Sequence, residues 1–158
     1  MTRLPSLGPR GEGWVLIQGV LLVVIAAAGT VGPAWAGGIR LVTSIAGGLL
    51  IAAGLALAGL GMRDLRGALT PLPYPRAETE LVETGVYRLV RHPIYGGLGV
   101  AAVGWGLLSA SPVALAGAGV LLVFFELKSR REEAWLEHRF AGYAAYRLRT
   151  RRLIPWIG

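Results

Sequence analysis

Apolar residues in this chain fall into four runs, and nearly every charged side chain lies between or beyond them. Trp14 to Val31 carries no charge. At 1.5 Å per residue it can cross the roughly 30 Å hydrocarbon core of a bilayer. Trp14 and Trp35 stand where interfacial aromatics belong, Gly32-Pro33 closes the run, and Gln18 is its only strongly polar interior side chain. Leu41 to Met62 is the second run, with Gly47, Gly48, Gly54, Gly59 and Gly61 spaced among alanines. Small residues at such spacing predict close helix packing in lipid. Ile94 to Ser109 and Val113 to Phe125 are shorter runs joined by the turn Ser109-Ala110-Ser111-Pro112, and they read as a helical hairpin.

The last apolar run is predicted to continue as a polar helix from Glu126 to Phe140, because no helix breaker interrupts it. Leu136 and Phe140 form an apolar edge beside Trp135, and Lys128 and Glu132 share a face four residues apart. Gly142 is expected to end this helix. Between the second and third runs the chain turns polar. A short surface helix is expected over Arg63 to Leu69, and Pro71, Pro73 and Pro75 predict a stiff extended stretch. The whole reads as an all-α integral membrane protein of about four transmembrane helices, one membrane domain over 1–158. Residues 1–62 give two helices, 63–92 a cytoplasmic loop, and 93–158 the hairpin and a basic tail.

Composition supports that reading. Of 158 residues 54% are hydrophobic and only 16% charged, too apolar for an ordinary soluble domain. The polar start with Arg3 and Arg10 resembles a signal peptide weakly, but the apolar run is too long and Pro33-Ala34-Trp35-Ala36 is a poor cleavage site, so a retained helix is expected. With no cysteine and two histidines, neither a disulfide framework nor a metal centre is expected. The net charge of +7 gathers at the ends of apolar runs. Anionic membrane lipids are therefore the expected partner, not nucleic acid. Arginines crowd the N-terminus, residues 63–91 and the tail, which by the positive-inside rule puts both termini and both polar clusters on the cytoplasmic side.

Charge, aromatics, an imidazole and paired glycines meet in Leu81 to Gly97, LVETGVYRLVRHPIYGG. Proline fixes its own φ and biases His92 away from the helical region, so Pro93 is predicted to open a helix. The free N–H groups of that first turn, with Arg91 and His92, make a place for an anionic group. Gly96 and Gly97 would let another backbone or a flat ligand come close. The hairpin topology brings this cluster to the same side as Glu126 to Lys128. Arginine and histidine at a membrane boundary also serve simply as headgroup anchors, and it is the second cluster downstream that favours a functional reading.

The pattern Leu81-Val82-x-Thr84-Gly85-Val86-Tyr87, then Arg91-His92-Pro93-x-Tyr95-x-Gly97, resembles the signature of the isoprenylcysteine carboxyl methyltransferase family, which embraces phospholipid methyltransferase-like membrane proteins. Glu132-Glu133-x-x-Leu136-x-x-x-Phe140, then Tyr143-x-x-Tyr146 and a basic tail ending Ile154-Pro155, is similar to that family's C-terminal motif. The likeness implies a membrane-embedded enzyme using S-adenosyl-L-methionine. It implies a cofactor site at Thr79, Glu80, Leu81, Val82, Tyr87, His92, Pro93, Ile94, Tyr95 and Glu132. The position four before Glu132 is an arginine near the substrate in the isoprenylcysteine enzymes and is Lys128 here. Lysine keeps the charge and loses the bidentate fork suited to a carboxylate. The Phe140-to-Tyr143 segment is also one residue shorter than the commoner version.

That cofactor carries an ammonium, a carboxylate, an adenine and a sulfonium. Glu132 suits the ammonium or the ribose hydroxyls. His92, Arg91 and the helix N-terminus suit the carboxylate, and Tyr87 and Tyr95 could stack on adenine or face the sulfonium. Catalysis is expected to come from in-line approach and water exclusion. Arg91, Lys128 and Glu133 are the catalytic candidates, with Glu133 or His92 as a base for a neutral nucleophile. The methyl acceptor, lipophilic or small, stays open among a prenylated cysteine, a phospholipid amine, a thiol and an isoprenoid. A sterol-reductase-like oxidoreductase using a nicotinamide cofactor and a non-enzymatic membrane scaffold are the alternative readings.

Overall fold

A computed structural model of the chain describes residues 5, 7–9, 11–31, 35, 39–65 and 80–155. These residues form α1 (Glu12–Thr30), α2 (Ile39–Leu65), a 3-10 helix (Gly85–Arg88), α3 (Pro93–Leu108), α4 (Pro112–Arg139) and α5 (Tyr143–Arg149). Among the described residues there is no strand, only an isolated parallel bridge between Val90 and Arg151. Helices satisfy their backbone groups internally, which lipid demands. Leu16, Val20, Val23 and Val24 of α1 and Leu41, Val42, Ile45 and Leu49 of α2 are exposed, a surface suited to lipid and unfavourable in water.

Three helices, α1, α2 and α4, are long and apolar enough to cross a membrane. The 16 residues of α3 reach only about 24 Å. The expected four spans are thus three full-length helices and one shorter apolar helix. It packs against α2, α4 and α1.

The small residues of the second run face those of the third. A Cβ at Gly47 would stand 2.6 Å from the Gly104 carbonyl oxygen, and one at Gly104 would stand 2.7 Å from that of Gly47. Gly54 and Gly97 meet in the same reciprocal way. The backbones of α2 and α3 approach until only hydrogen fits between them. The hairpin is tied to α1 by polar contacts. Ser111 caps α4 by accepting from the Ala114 N–H at 3.2 Å, and its hydroxyl donates to the Ala28 carbonyl at 2.8 Å. Trp105 Nε1 donates to the Ile25 carbonyl at 3.2 Å. Ile25, Ala102, Ala118, Leu121 and Phe125 form the core beneath.

The predicted unbroken continuation of the last apolar run is present: α4 spans 28 residues. Its end differs from expectation. Phe140 turns extended at φ −114° and ψ 110°, while Gly142 lies at φ −79° and opens α5. The chain thus leaves α4 before the glycine, and Gly142 is not a left-handed cap. At the other turn, Asp64 Oδ2 accepts from the Val86 N–H at 2.8 Å and ties the end of α2 to the 3-10 helix. Gly85 there has φ +59°, and a side chain would run into the Asp64 carboxylate. The alternating prolines, and all but the first residues of the surface helix expected over Arg63 to Leu69, lie outside the described residues.

Candidate functional site

Pro93 opens α3 as predicted, and His92 precedes it at φ −127° and ψ 61°. The chain's end folds back over this corner. The Arg91 N–H donates to the Arg151 carbonyl at 2.8 Å, the His92 N–H to the Arg152 carbonyl at 2.9 Å, and the Arg151 N–H to the Leu89 carbonyl at 3.0 Å. A Cβ at Gly96 would collide with the Leu153 carbonyl. The close approach expected at Gly96 is therefore made by the protein's own tail. The Tyr146 hydroxyl donates to the Tyr87 carbonyl at 2.8 Å and pins α5 to the 3-10 helix.

Beneath the tail lies an ion-pair cluster. Arg91 Nε donates to Glu133 Oε1 at 2.7 Å, with side chains only 7% and 4% exposed. The same guanidinium donates to the Arg147 and Thr150 carbonyls. Arg152 Nη2 stands 3.1 Å from Glu133 Oε2, its Nε 3.3 Å from Oε1, and it also pairs with Glu126. His92 Nε2 is 3.3 Å from Glu133 Oε1. Both Glu133 oxygens are thus engaged by guanidinium groups. This arrangement does not fit the expectation of Glu133 as a free base. It gives Arg91 and Glu133 an internal structural duty. Arg152, which sequence reading passed over as one arginine of a basic tail, completes the cluster. A cleft of about 500 Å³ opens on the tail side, lined by Arg91, Glu126, Arg147, Thr150, Arg152 and Leu153 among others.

One residue earlier the environment changes. Glu132 Oε2 accepts from the Tyr95 hydroxyl at 2.9 Å, His92 Nδ1 lies at 3.8 Å, and the Glu132 side chain keeps 23% exposure. Tyr95 is parallel to the His92 ring at 5.5 Å and to the Phe125 ring at 5.0 Å. Lys128 Nζ sits 4.8 Å from its centroid. Tyr87 is buried. Tyr87 is thus packed inward, while Tyr95 is half-buried and stacked with His92 and Phe125. Lys128 is fully buried, and its Nζ donates to Gln18 Oε1 at 2.6 Å. Gln18 drew no functional reading from sequence, since a lone amide in an apolar helix gives no sign of its partner.

Leu81, Val82 and Ile94 are half-buried and Glu80 is exposed, whereas Thr79 lies outside the described residues. Burial pushes the Tyr87, Tyr143 and Tyr146 hydroxyls far above the ordinary tyrosine range, and Glu132, Glu133 and Glu83 respectively are the leading acidic neighbours acting in the same direction. For Arg152 burial opposes the charge, but Glu133 and Glu126 outweigh it and raise the affinity for the proton. The buried Tyr143 hydroxyl has no hydrogen-bond partner among the described residues, the kind of orphan that a water or a polar ligand satisfies.

Two acidic neighbours on one helix therefore have unlike fates, one locked by arginines and one left reachable beside the start of α3. Comparison with curated proteins finds no match. The phospholipid methyltransferase family profile matches residues 42–142, more than half of the chain, and spans both polar clusters up to Gly142. The chain belongs to the phospholipid methyltransferase family, a family of membrane methyltransferases.

Proposed function

We propose that the protein transfers a methyl group from S-adenosyl-L-methionine to a lipophilic acceptor, with the cofactor held between Glu132 and the start of α3. The observation that carries this reading is the contrast between Glu132 and Glu133. Glu133 is saturated by Arg91 and Arg152. Glu132 is oriented by the Tyr95 hydroxyl and keeps an exposed edge. A carboxylate so held suits an ammonium or ribose hydroxyls. The first-turn N–H groups of α3, with His92, suit a carboxylate. Leu81 and Val82 offer apolar contact, and Tyr143 offers a spare hydroxyl. The residues fit the cofactor's groups.

Bound S-adenosyl-L-methionine supplies an electrophilic methyl group. The chain's own part is orientation and exclusion of water. With an anionic acceptor the transition state neutralises charge and leaves little for fixed charges to stabilise, so alignment carries the rate. Arg91, Glu133 and Arg152 hold the tail over the His92-Pro93 corner and keep that alignment. Lys128 stands on the acceptor side, one turn from Glu132. The arginine-rich ends favour the cytoplasmic face for this site, and three lipid-exposed helices favour an acceptor delivered from the membrane.

The test is transfer of a tritiated methyl group from S-adenosyl-L-methionine into the organic phase of a membrane lipid extract. Label that appears with wild type and falls at least 100-fold with Glu132→Ala supports the reading. Label that is unchanged in Glu132→Ala contradicts it.

A further inference from the structure

The outer side of α4 carries one stripe at helical spacing: Val120, Val123, Leu127, Arg131 and Trp135 recur at intervals of three and four. Its apolar part faces away from the protein. Val120 is 57% exposed, Val123 62% and Leu127 36%. Arg131 ends this apolar track, about 16 Å from Val120 at 1.5 Å per residue. That is close to half of the roughly 30 Å hydrocarbon core, the depth of one lipid leaflet. The Arg131 guanidinium lies over the Trp135 ring, 4.5 Å from its centroid. Its Nε is buried and has no hydrogen-bond partner among the described residues. The neighbouring Arg130 is exposed and pairs instead with Glu126 at 2.8 Å. A guanidinium that has given up part of its water, and gained a ring but no anion, is unfavourable until an anion reaches it.

We propose that this stripe is a binding site for one anionic membrane phospholipid, with its phosphate at Arg131 and one acyl chain along Leu127, Val123 and Val120. The stacked ring occupies one face of the guanidinium and leaves its N–H groups to bond in the plane, where phosphate oxygens are met. An indole and a guanidinium side by side suit the headgroup level of a bilayer. The nearby carboxylates are already engaged: Glu126 by Arg130 and Arg152, Glu133 by Arg91 and Arg152, and Glu132 by the Tyr95 hydroxyl. The stripe itself carries no acid to receive a headgroup ammonium, so a lipid with net negative charge fits better than a zwitterionic one. The continuous apolar track beside the charge favours a lipid over a free phosphate. The lipid is a ligand and not the methyl acceptor, because Arg131 lies on the outer stripe while Glu132, the next residue, is turned to Tyr95 of α3. Its effect is to hold the polar end of α4 at the membrane surface. The inference stands apart from the cofactor position proposed above.

The test is native mass spectrometry of the delipidated, detergent-solubilised full chain. It is titrated with phosphatidylglycerol, phosphatidylcholine and phosphatidylethanolamine of identical chains, and with glycerophosphoglycerol, the anionic headgroup without chains. Thermal melts with each are recorded alongside. The expected result is that phosphatidylglycerol binds at least about fivefold tighter than either zwitterionic lipid and raises the melting temperature more, while glycerophosphoglycerol does neither. Arg131→Gln should bring the three lipids within about twofold of one another, with S-adenosylhomocysteine affinity unchanged within about twofold, and Arg130→Gln should keep the preference. Trp135→Leu, which removes the stacking ring, should weaken the preference and keeps the test readable if Arg131→Gln fails to fold. Equal binding of the three lipids by wild type, a preference that survives in Arg131→Gln, or glycerophosphoglycerol bound as tightly as the lipid overturns the inference. Phosphatidylethanolamine as the tightest ligand also overturns it, and would mark the stripe as a path for an acceptor. Loss of S-adenosylhomocysteine binding in wild type with the lipid preference intact would instead overturn the cofactor reading alone.

Discussion

Arg91 and Glu133, forty-two residues apart in the chain, meet at 2.7 Å in a setting almost closed to solvent. That contact joins the corner before α3 to the polar end of α4, and through Arg152 it secures the tail. Removing one partner of a buried pair leaves an uncompensated charge and costs about 3–5 kcal/mol. Glu133→Ala should therefore lower the melting temperature of the solubilised protein sharply and expose the tail to protease. Glu132→Ala, which removes only the acceptor of the Tyr95 hydroxyl, should lower the melting temperature much less. Differential scanning fluorimetry and limited proteolysis check both. Equal melting of the two variants would show that the two acidic residues do not have separate duties.

The glycines of α2 divide into two kinds. At Gly54 a methyl group meets the Gly97 carbonyl of α3, while at Gly59 nothing lies within 4 Å. Gly54→Ala should force α2 and α3 apart and destabilise by about 1–3 kcal/mol. Gly59→Ala should be neutral or stabilise by up to about 1 kcal/mol through helix propensity. Thermal melts of the two variants in one detergent compare them directly.

At the tail corner, Gly96→Ala should act on the tail and not on the helix pair, because its methyl group meets the Leu153 carbonyl. The expected outcome is faster cleavage after α5 with α2 and α3 still packed. A tail as resistant to protease as that of wild type would contradict the fold-back.

Tyr87, Tyr143 and Tyr146 yield a pH dependence. Burial raises all three above the unfolded value, so the folded chain holds these protons more tightly than the unfolded one. Their contribution is fully present below about pH 10, the unfolded value, and is lost as pH rises from there toward the folded values. The tyrosinate absorbance of these three residues should therefore appear together with unfolding, not ahead of it, in an alkaline titration. Tyr146→Phe, which removes a buried donor from the Tyr87 carbonyl, should cost about 1–3 kcal/mol.

The helices were legible in the sequence because each rests on local signals. Charge-free runs set their length, Pro93 and Ser111-Pro112 set two starts, and small residues mark the α2–α3 contact. The hairpin topology also brought Arg91-His92 and the Glu132-Glu133 helix together without any measured distance. What was not legible depends on contacts between residues far apart in the chain. Nothing local says that Leu153 fills the space over Gly96, or that Arg152 outranks the other tail arginines. The stacking of Tyr95 depends on Phe125, thirty residues away, and Gln18 acquires meaning only from Lys128 on another helix. Gly142 misled because its sequence setting matches a helix stop, while the backbone had already turned at Phe140.

The most direct measurement is calorimetric titration of the detergent-purified protein with S-adenosylhomocysteine, in wild type, Glu132→Ala, Glu132→Gln and Gln18→Leu. The expected result is saturable binding by wild type and Gln18→Leu, at least 100-fold weaker binding by Glu132→Ala, and an intermediate value for Glu132→Gln. Wild type that melts cooperatively and binds nothing in more than one detergent, or Glu132→Ala that binds as wild type does, would contradict the assignment of Glu132 to the cofactor.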